Sequence, residues 1–266
     1  MNMRLADVHN HLQDPRFGED LPKVLREMHN EGIRLAVVNG TSENDWQKVL
    51  DLCRHHDPLL IPALGLHPWH VSARSAHWKT VLREGLESSE KSSIGECGLD
   101  LWKQPSDLDD QISVLRFHLE LARTMSKPLT IHCLKAWQPL LTVLKQSDPL
   151  PPFLLHSFSG PPDMIKPLVR LGAYFSLSGY FLSDRKWKTL QAFSQIPSDR
   201  ILIESDAPDM APPVELQGHY HHEEYHHPAD LISCAKALAG LKNMPLEECV
   251  AMCWENTQKW LGNTIG

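Results

Sequence analysis

The sequence predicts a (β/α)8 TIM barrel, an α/β fold forming a single domain over residues 1–266. Three observations lead there. Short aliphatic runs alternate with longer amphipathic stretches along the whole chain. Most of these runs lack the apolar/polar alternation of a half-exposed strand, as expected of parallel strands covered on both faces. The length, 266 residues, suits a barrel of this type, which typically needs ~250. A doubly wound open sheet is the competing architecture. No low-complexity linker or break in composition divides the chain.

In order, the candidate strands are 5–8, 34–38, 59–64, 93–97, 129–131, 153–155, 173–177 and 201–203. The intervening helices are read at 20–31, 43–56, 76–90, 107–125, 136–146, 163–171 and 184–195, with two more, 228–241 and 246–261, after the last strand. The stretch 107–125 is the clearest, with Ile112, Leu115, Leu119 and Ala122 spaced by three or four and charges between them.

Composition removes several function classes. Hydrophobic residues make up 42 %, too many for a disordered chain, and Gly and Pro are too few for a fibrous one. With 26 Lys and Arg against 33 Asp and Glu, the net charge of −7 argues against a basic nucleic-acid coat protein. Six cysteines without CxxC spacing read as reduced core thiols, Cys249 and Cys253 sharing one helix face. The N-terminal residues lack the apolar core of a signal peptide, and no stretch reaches the ~18 apolar residues of a membrane span. The expectation is a cytoplasmic protein with no membrane association and no obligatory protein partner. Sixteen histidines remain to be explained, and histidine is the commonest metal ligand.

A barrel places its chemistry where the strands run out at their C-terminal ends. Those ends read His9-Asn10-His11, Gly65-Leu66-His67-Pro68, Gly95-Glu96-Cys97-Gly98-Leu99-Asp100, His132, His156-Ser157-Phe158-Ser159-Gly160 and Glu204-Ser205-Asp206-Ala207-Pro208. Singly, each has a plain structural explanation: a hydrogen-bonded core histidine, or a carboxylate capping the next helix. Jointly, His9, His11, Glu96, His132, His156 and Asp206 would converge on one mouth, and burying so many ionisable groups without counter-charge is costly. Divalent metals supply that charge. Four imidazoles and two carboxylates suit Zn²⁺, Mn²⁺ or Mg²⁺ and exceed what one tetrahedral ion uses. Two metal ions about 3.5–4 Å apart, bridged by a carboxylate, are therefore expected.

These segments resemble the TatD family of metal-dependent hydrolases. Asp7-Val8-His9-Asn10-His11, Gly65-Leu66-His67-Pro68, Ile94 through Asp100, Ile131-His132, His156 through Gly160 and Glu204 through Pro208 match in order, and Gln111, Phe117, Leu121 and Ala122 match the helix before strand five. The resemblance implies a TIM barrel, two divalent metals and deoxyribonuclease activity. It implies that His9 and His11 hold the first metal, that Glu96 bridges, and that His132 and His156 hold the second. Asp206 would bind metal, position the attacking water and take its proton, and His67 would contact the scissile phosphate. Three positions depart from the family. Leu134 and Lys135 follow the strand-five histidine where an Arg is usual, so a bidentate phosphate contact becomes at most a point charge. Trp102 and Lys103 replace paired tyrosines. The histidine-rich segment 219–227 replaces a loop ending in Asn-Glu-Pro.

The leading reading is thus a phosphodiesterase acting on DNA or another phosphodiester. Lys135 would contact phosphate, Trp69 and Trp102 would stack on bases, and Lys103, Arg185, Lys186 and Lys188 would lie along the backbone. The second reading applies the same chemistry to an ester, an amide or an aminoacyl-tRNA bond, since the fold does not specify phosphorus over carbon. A third is a metal-storing protein. Segment 219–227 should overhang the mouth, either as a lid carrying substrate contacts or an extra metal, or as an ordinary polar loop.

Overall fold

A computed structural model describes residues 3–56, 59–220 and 222–265. Eight strands follow one another in a single sheet in chain order: β1 (Leu5–Asn10), β2 (Ile33–Asn39), β3 (Leu60–Leu64), β4 (Ser93–Asp100), β5 (Leu129–Leu134), β6 (Phe153–Leu155), β7 (Tyr174–Leu177) and β8 (Ile201–Ile203). Every adjacent pair from β1–β2 to β7–β8 is parallel. The helices between them are α1 (Leu21–Asn30), α2 (Glu43–His55), α3 (Trp78–Glu87), α4 (Leu108–Met125), α5 (Trp137–Lys145), α6 (Ile165–Arg170) and α7 (Trp187–Ala192), followed by α8 (Leu231–Lys242) and α9 (Leu246–Leu261). This is the expected TIM barrel. Stretch 184–195, expected as one helix, is a short α7 between 3-10 turns.

The barrel closes between β8 and β1 through the segment that follows β8. Asp206 N–H donates to the His9 carbonyl at 2.9 Å, and His11 N–H donates to the Ala207 carbonyl at 2.7 Å. Below them the buried Asp7 carboxylate accepts the Ser205 N–H and hydroxyl at 2.9 and 2.6 Å. The residues that close the seam are therefore the ones expected to carry chemistry.

The aliphatic strands are buried along nearly their whole length. The core falls into two clusters. The smaller packs Trp260 of α9 with Ala6, Val8, Val37, Ile61 and Leu202. Helix α4 starts on Asp107, whose side chain accepts the Asp110 N–H, and ends at Ser126 in the left-handed region. Its Gln111 amide clamps the end of β4, accepting the Asp100 N–H at 2.8 Å and donating to the Asp100 carbonyl at 3.1 Å.

Strand β4 lies unusually close to β5. Gly98 has φ +151°, and a Cβ there would fall 1.9 Å from the His132 carbonyl oxygen. A side chain at 98 would push apart the two strands that carry Glu96 and His132. We expect Gly98→Ala to cost about 3 kcal/mol, because a backbone oxygen cannot move aside without parting the strands. Gly172→Ala, at φ +88° with nothing within 4 Å, should cost only about 1 kcal/mol. Equal midpoints for the two variants in urea unfolding would contradict this account.

Candidate metal centre

The strand ends deliver five imidazoles to one carboxylate. Glu96, 2 % exposed, points Oε2 at His9 Nε2 (3.5 Å) and His11 Nε2 (3.6 Å). Its Oε1 faces His156 Nε2 (2.7 Å), His132 Nδ1 (3.0 Å) and His67 Nε2 (3.4 Å). Asp206 completes the ring, with Oδ1 3.5 Å from both His9 and His11 Nε2. Its φ of +53° lies in the left-handed region, a local strain held in place by the seam.

Ligand atoms within 4.8 Å of one another define four potential metal groups: His9–His11–Asp206, His9–Glu96–His156, His67–Glu96–His132 and His156–Glu204–Asp206. All six sequence-predicted ligands thus meet in one place, and His67 joins them. The donor set fits a divalent metal. Among the described residues, neither ring nitrogen of the fully buried His9 has a hydrogen-bond partner, and His156 Nδ1 has none either. Such groups are costly to bury unless something binds them.

Neighbouring groups aim the ligands. His11 donates Nδ1–H to the Asn39 carbonyl at 2.7 Å, leaving Nε2 for the site. His132 donates Nε2–H to Asp100 Oδ2 at 3.0 Å, leaving Nδ1. His67 Nδ1 accepts the Trp69 N–H at 3.1 Å, so its proton sits on Nε2 and faces inward. Glu204 accepts the Ser157 N–H and hydroxyl at 2.8 and 2.6 Å, fixing the turn that carries His156. His118 accepts the Leu66 N–H at 3.1 Å and donates to the Val114 carbonyl, anchoring the segment that leads to His67. Sequence reasoning assigned no role to Asp100, Glu204 or His118. Asp100 and Glu204 sit inside the strand-end motifs, which was the available signal. Nothing local marked His118.

Electrostatics follow from this packing. Burial drives His67 down to about 4 and also lowers His9, so both are neutral. Burial opposes protonation of His11, but Asp206 and Glu96 outweigh it and raise His11 to about 9. His132 and His156 are likewise raised against their burial, the first mainly by Asp100 and Glu96, the second by Glu96 and Glu204. Burial alone would raise Glu96, yet His156 and its neighbours hold it well below the usual carboxylate range. Protons thus occupy the positions that cations would take.

The centre forms the floor of a cleft of about 760 Å³. Lys135, Trp102, Trp69, His70 and Lys186 line it, as do Tyr180 and Phe181. Lys103, Arg185 and Lys188, expected along a bound strand, are not among the lining residues. Segment 219–227 is not a lid. His227 Nε2 lies 3.1 Å from Glu27, the Tyr220 hydroxyl donates to Glu31 at 2.9 Å, and His222 lies 3.6 Å from Asp20 and stacks on Tyr225. These contacts dock the segment on α1 and the residues on either side of it, and none of its described residues lines the cleft. His221 lies outside the described residues.

Comparison with known proteins points the same way. Residues 6–262 match the family described as TatD related DNase. The chain is 31 % identical over 210 residues to the 3'-5' ssDNA/RNA exonuclease TatD of Erwinia tasmaniensis, covering 78 % of this chain and 81 % of that one. It is 27 % identical to an uncharacterized metal-dependent hydrolase of Haemophilus influenzae, over 96 % of this chain and 98 % of the relative. The crystal structure of YJJV, a TatD homologue from Escherichia coli, superposes with a TM-score of 0.88 at 27 % identity, covering 98 % and 99 % of the two chains.

Metal and protons compete here, with a definite sign. The raised His11 stabilises the metal-free protein fully below pH 6.5 and loses that contribution as pH rises toward about 9. Asp7, raised by burial from 3.8 to about 7, has the same sign at lower pH, its contribution being lost mainly between pH 4 and 7. The melting temperature of metal-free protein should therefore fall between pH 6.5 and 9, and that of Mn²⁺-loaded protein should fall less. Binding of Mn²⁺ at pH 7 should release protons, seen as a calorimetric heat that varies with buffer ionisation enthalpy. A buffer-independent heat would show that these histidines are not the groups displaced.

Proposed function

The chain belongs to the TatD related DNase family, and from that premise we propose that it is a divalent-metal-dependent exonuclease that hydrolyses phosphodiesters at the 3′ end of single-stranded DNA or RNA. The observation that carries this reading is the Glu96 centre: a buried ring of imidazoles and carboxylates at the floor of a cleft lined by aromatic rings and lysines. We assign it two ions, Zn²⁺, Mg²⁺ or Mn²⁺. His9 and His11 with Asp206 would hold one, His132 and His156 the other, and Glu96 would bridge them. When bound, the ions acidify water and draw charge from the phosphoryl oxygens.

The protein's own groups do the rest. Asp206 is kept ionised against its burial by its hydrogen bond to His11 and by the charge of His156, so it can orient the attacking water and take its proton. His67, neutral with its proton on Nε2, donates a hydrogen bond to a phosphoryl oxygen without adding charge. Lys135 reaches the cleft from the turn after β5, where its φ is +58°, and supplies a point charge for phosphate. Trp102 offers its ring as a stacking surface. The six cysteines are all buried and unpaired, which supports a reducing compartment, the cytoplasm. No helix among the described residues is long and apolar enough to cross a membrane.

The test is hydrolysis of 3′-labelled single-stranded DNA and RNA by metal-stripped protein with Mg²⁺, Mn²⁺ or Zn²⁺ restored in turn. Asp206→Asn should lower kcat by at least about 10²-fold and Glu96→Gln should weaken metal binding, both without loss of fold. Lys135→Ala should raise KM about tenfold and leave kcat nearly unchanged. Turnover of an ester or an aminoacyl-tRNA, with every nucleic acid left intact, would replace this reading.

A further inference from the structure

Asp100 joins the rim of the cleft to its floor. Its Oδ1 accepts the backbone N–H groups of Trp102 (2.6 Å) and Lys103 (3.0 Å). Its Oδ2 accepts the indole N–H of Trp69 (2.9 Å) and the Nε2–H of His132 (3.0 Å). The residue is 1 % exposed, and Gln111 pins its main chain from both sides. A carboxylate offers about four lone-pair positions, and four donors fill them, so one donor cannot shift without disturbing the rest.

Three of those donors belong to an open shelf. Trp69 and Trp102 are 42 % and 55 % exposed, unusual for rings of this size. Their centroids are 6.4 Å apart and tilted by 34°, and the Lys103 ammonium lies 4.3 Å from the Trp69 ring centroid. Trp69 also donates its backbone N–H to His67. One residue thus presents a face to the cleft while holding two histidines that point at Glu96, one directly and one through Asp100.

We propose that the Trp69–Trp102–Lys103 shelf binds an unpaired base of the substrate strand, and that Asp100 couples its occupancy to the aim of His132, so that substrate and metal strengthen one another's binding. A stacked base immobilises the two rings, the Trp69 indole N–H and the Trp102 backbone N–H fix the Asp100 carboxylate, and the carboxylate fixes the tautomer and plane of the His132 ring. Reciprocity is required, because a coupling free energy between two sites acts equally on both. The identity of the stacked group rests on the nuclease reading, whereas the positioning of His132 by Trp69 does not.

Trp69→Phe keeps a ring but deletes the indole N–H. Titration of metal-free protein with Mn²⁺ alone should show affinity reduced about tenfold, the lower end of what loss of a ligand's supporting hydrogen bonds costs. Asp100→Asn should weaken Mn²⁺ at least as much, and the double variant should lose little beyond the single ones. Trp102→Ala retains its backbone N–H, so it should bind Mn²⁺ like the parent but bind a phosphorothioate single strand more weakly. Saturation with that oligonucleotide should tighten Mn²⁺ binding several-fold in the parent and not in Trp69→Phe. Unchanged Mn²⁺ affinity in a folded Trp69→Phe protein would overturn the positioning role. An oligonucleotide that binds the parent without tightening Mn²⁺ would overturn the coupling. An oligonucleotide that fails to bind at all, with Mn²⁺ still weakened in Trp69→Phe, would overturn the nuclease reading and support the positioning role.

Discussion

One buried carboxylate organises the mouth of this barrel. Taking Glu96 out of water costs several kcal/mol unless charge and hydrogen bonds surround it, and imidazoles from four separate chain segments do so. Those histidines are no better off alone. His9 is wholly buried and neutral, and its ring nitrogens make no hydrogen bond among the described residues. Each half of the arrangement is tolerable only because the other half exists, and a closed parallel barrel brings both halves to one end.

Much of this was legible beforehand. The eight strands could be read because strands buried on both faces are unbroken aliphatic runs, and the convergence of six polar side chains because they stand where those runs end. What stayed hidden was long-range. The histidines of 219–227 suggested metal or substrate contacts, but His227 and His222 pair with Glu27 and Asp20, about 200 residues earlier in the chain, and no local pattern reveals such pairings. His118 looked incidental because its role depends on Leu66, 52 residues away. Helix α7 is shorter than its apolar pattern suggested. Packing, rather than propensity, sets such boundaries.

The departures from the family pattern have a common location. Glu96 and the four histidines proposed as ligands stand on or beside strands, where a shift of one side chain would disturb the whole ring. Lys135 and Trp102, which line the cleft, stand on the bends after β5 and β4, with Lys103 next to Trp102. The barrel holds the reactive groups rigidly and leaves the surface that meets substrate free to vary. Exchange of a fork-shaped guanidinium for a single ammonium at position 135 belongs to that variable surface.

The seam between β1 and the segment after β8 also bears on how the enzyme is made. The bonds that close the barrel tie residues 9 and 11 to residues 206 and 207, and the groups that face Glu96 come from nearly as wide a span. A chain emerging from the ribosome has no working centre until about three-quarters of it has been synthesised. Even then, the first strand must wait for the last ordered segment of the sheet, a pairing across most of the sequence that is slow to form. The site is thereby left unassembled for most of the chain's synthesis. Fragments released early carry histidines and carboxylates but no assembled site.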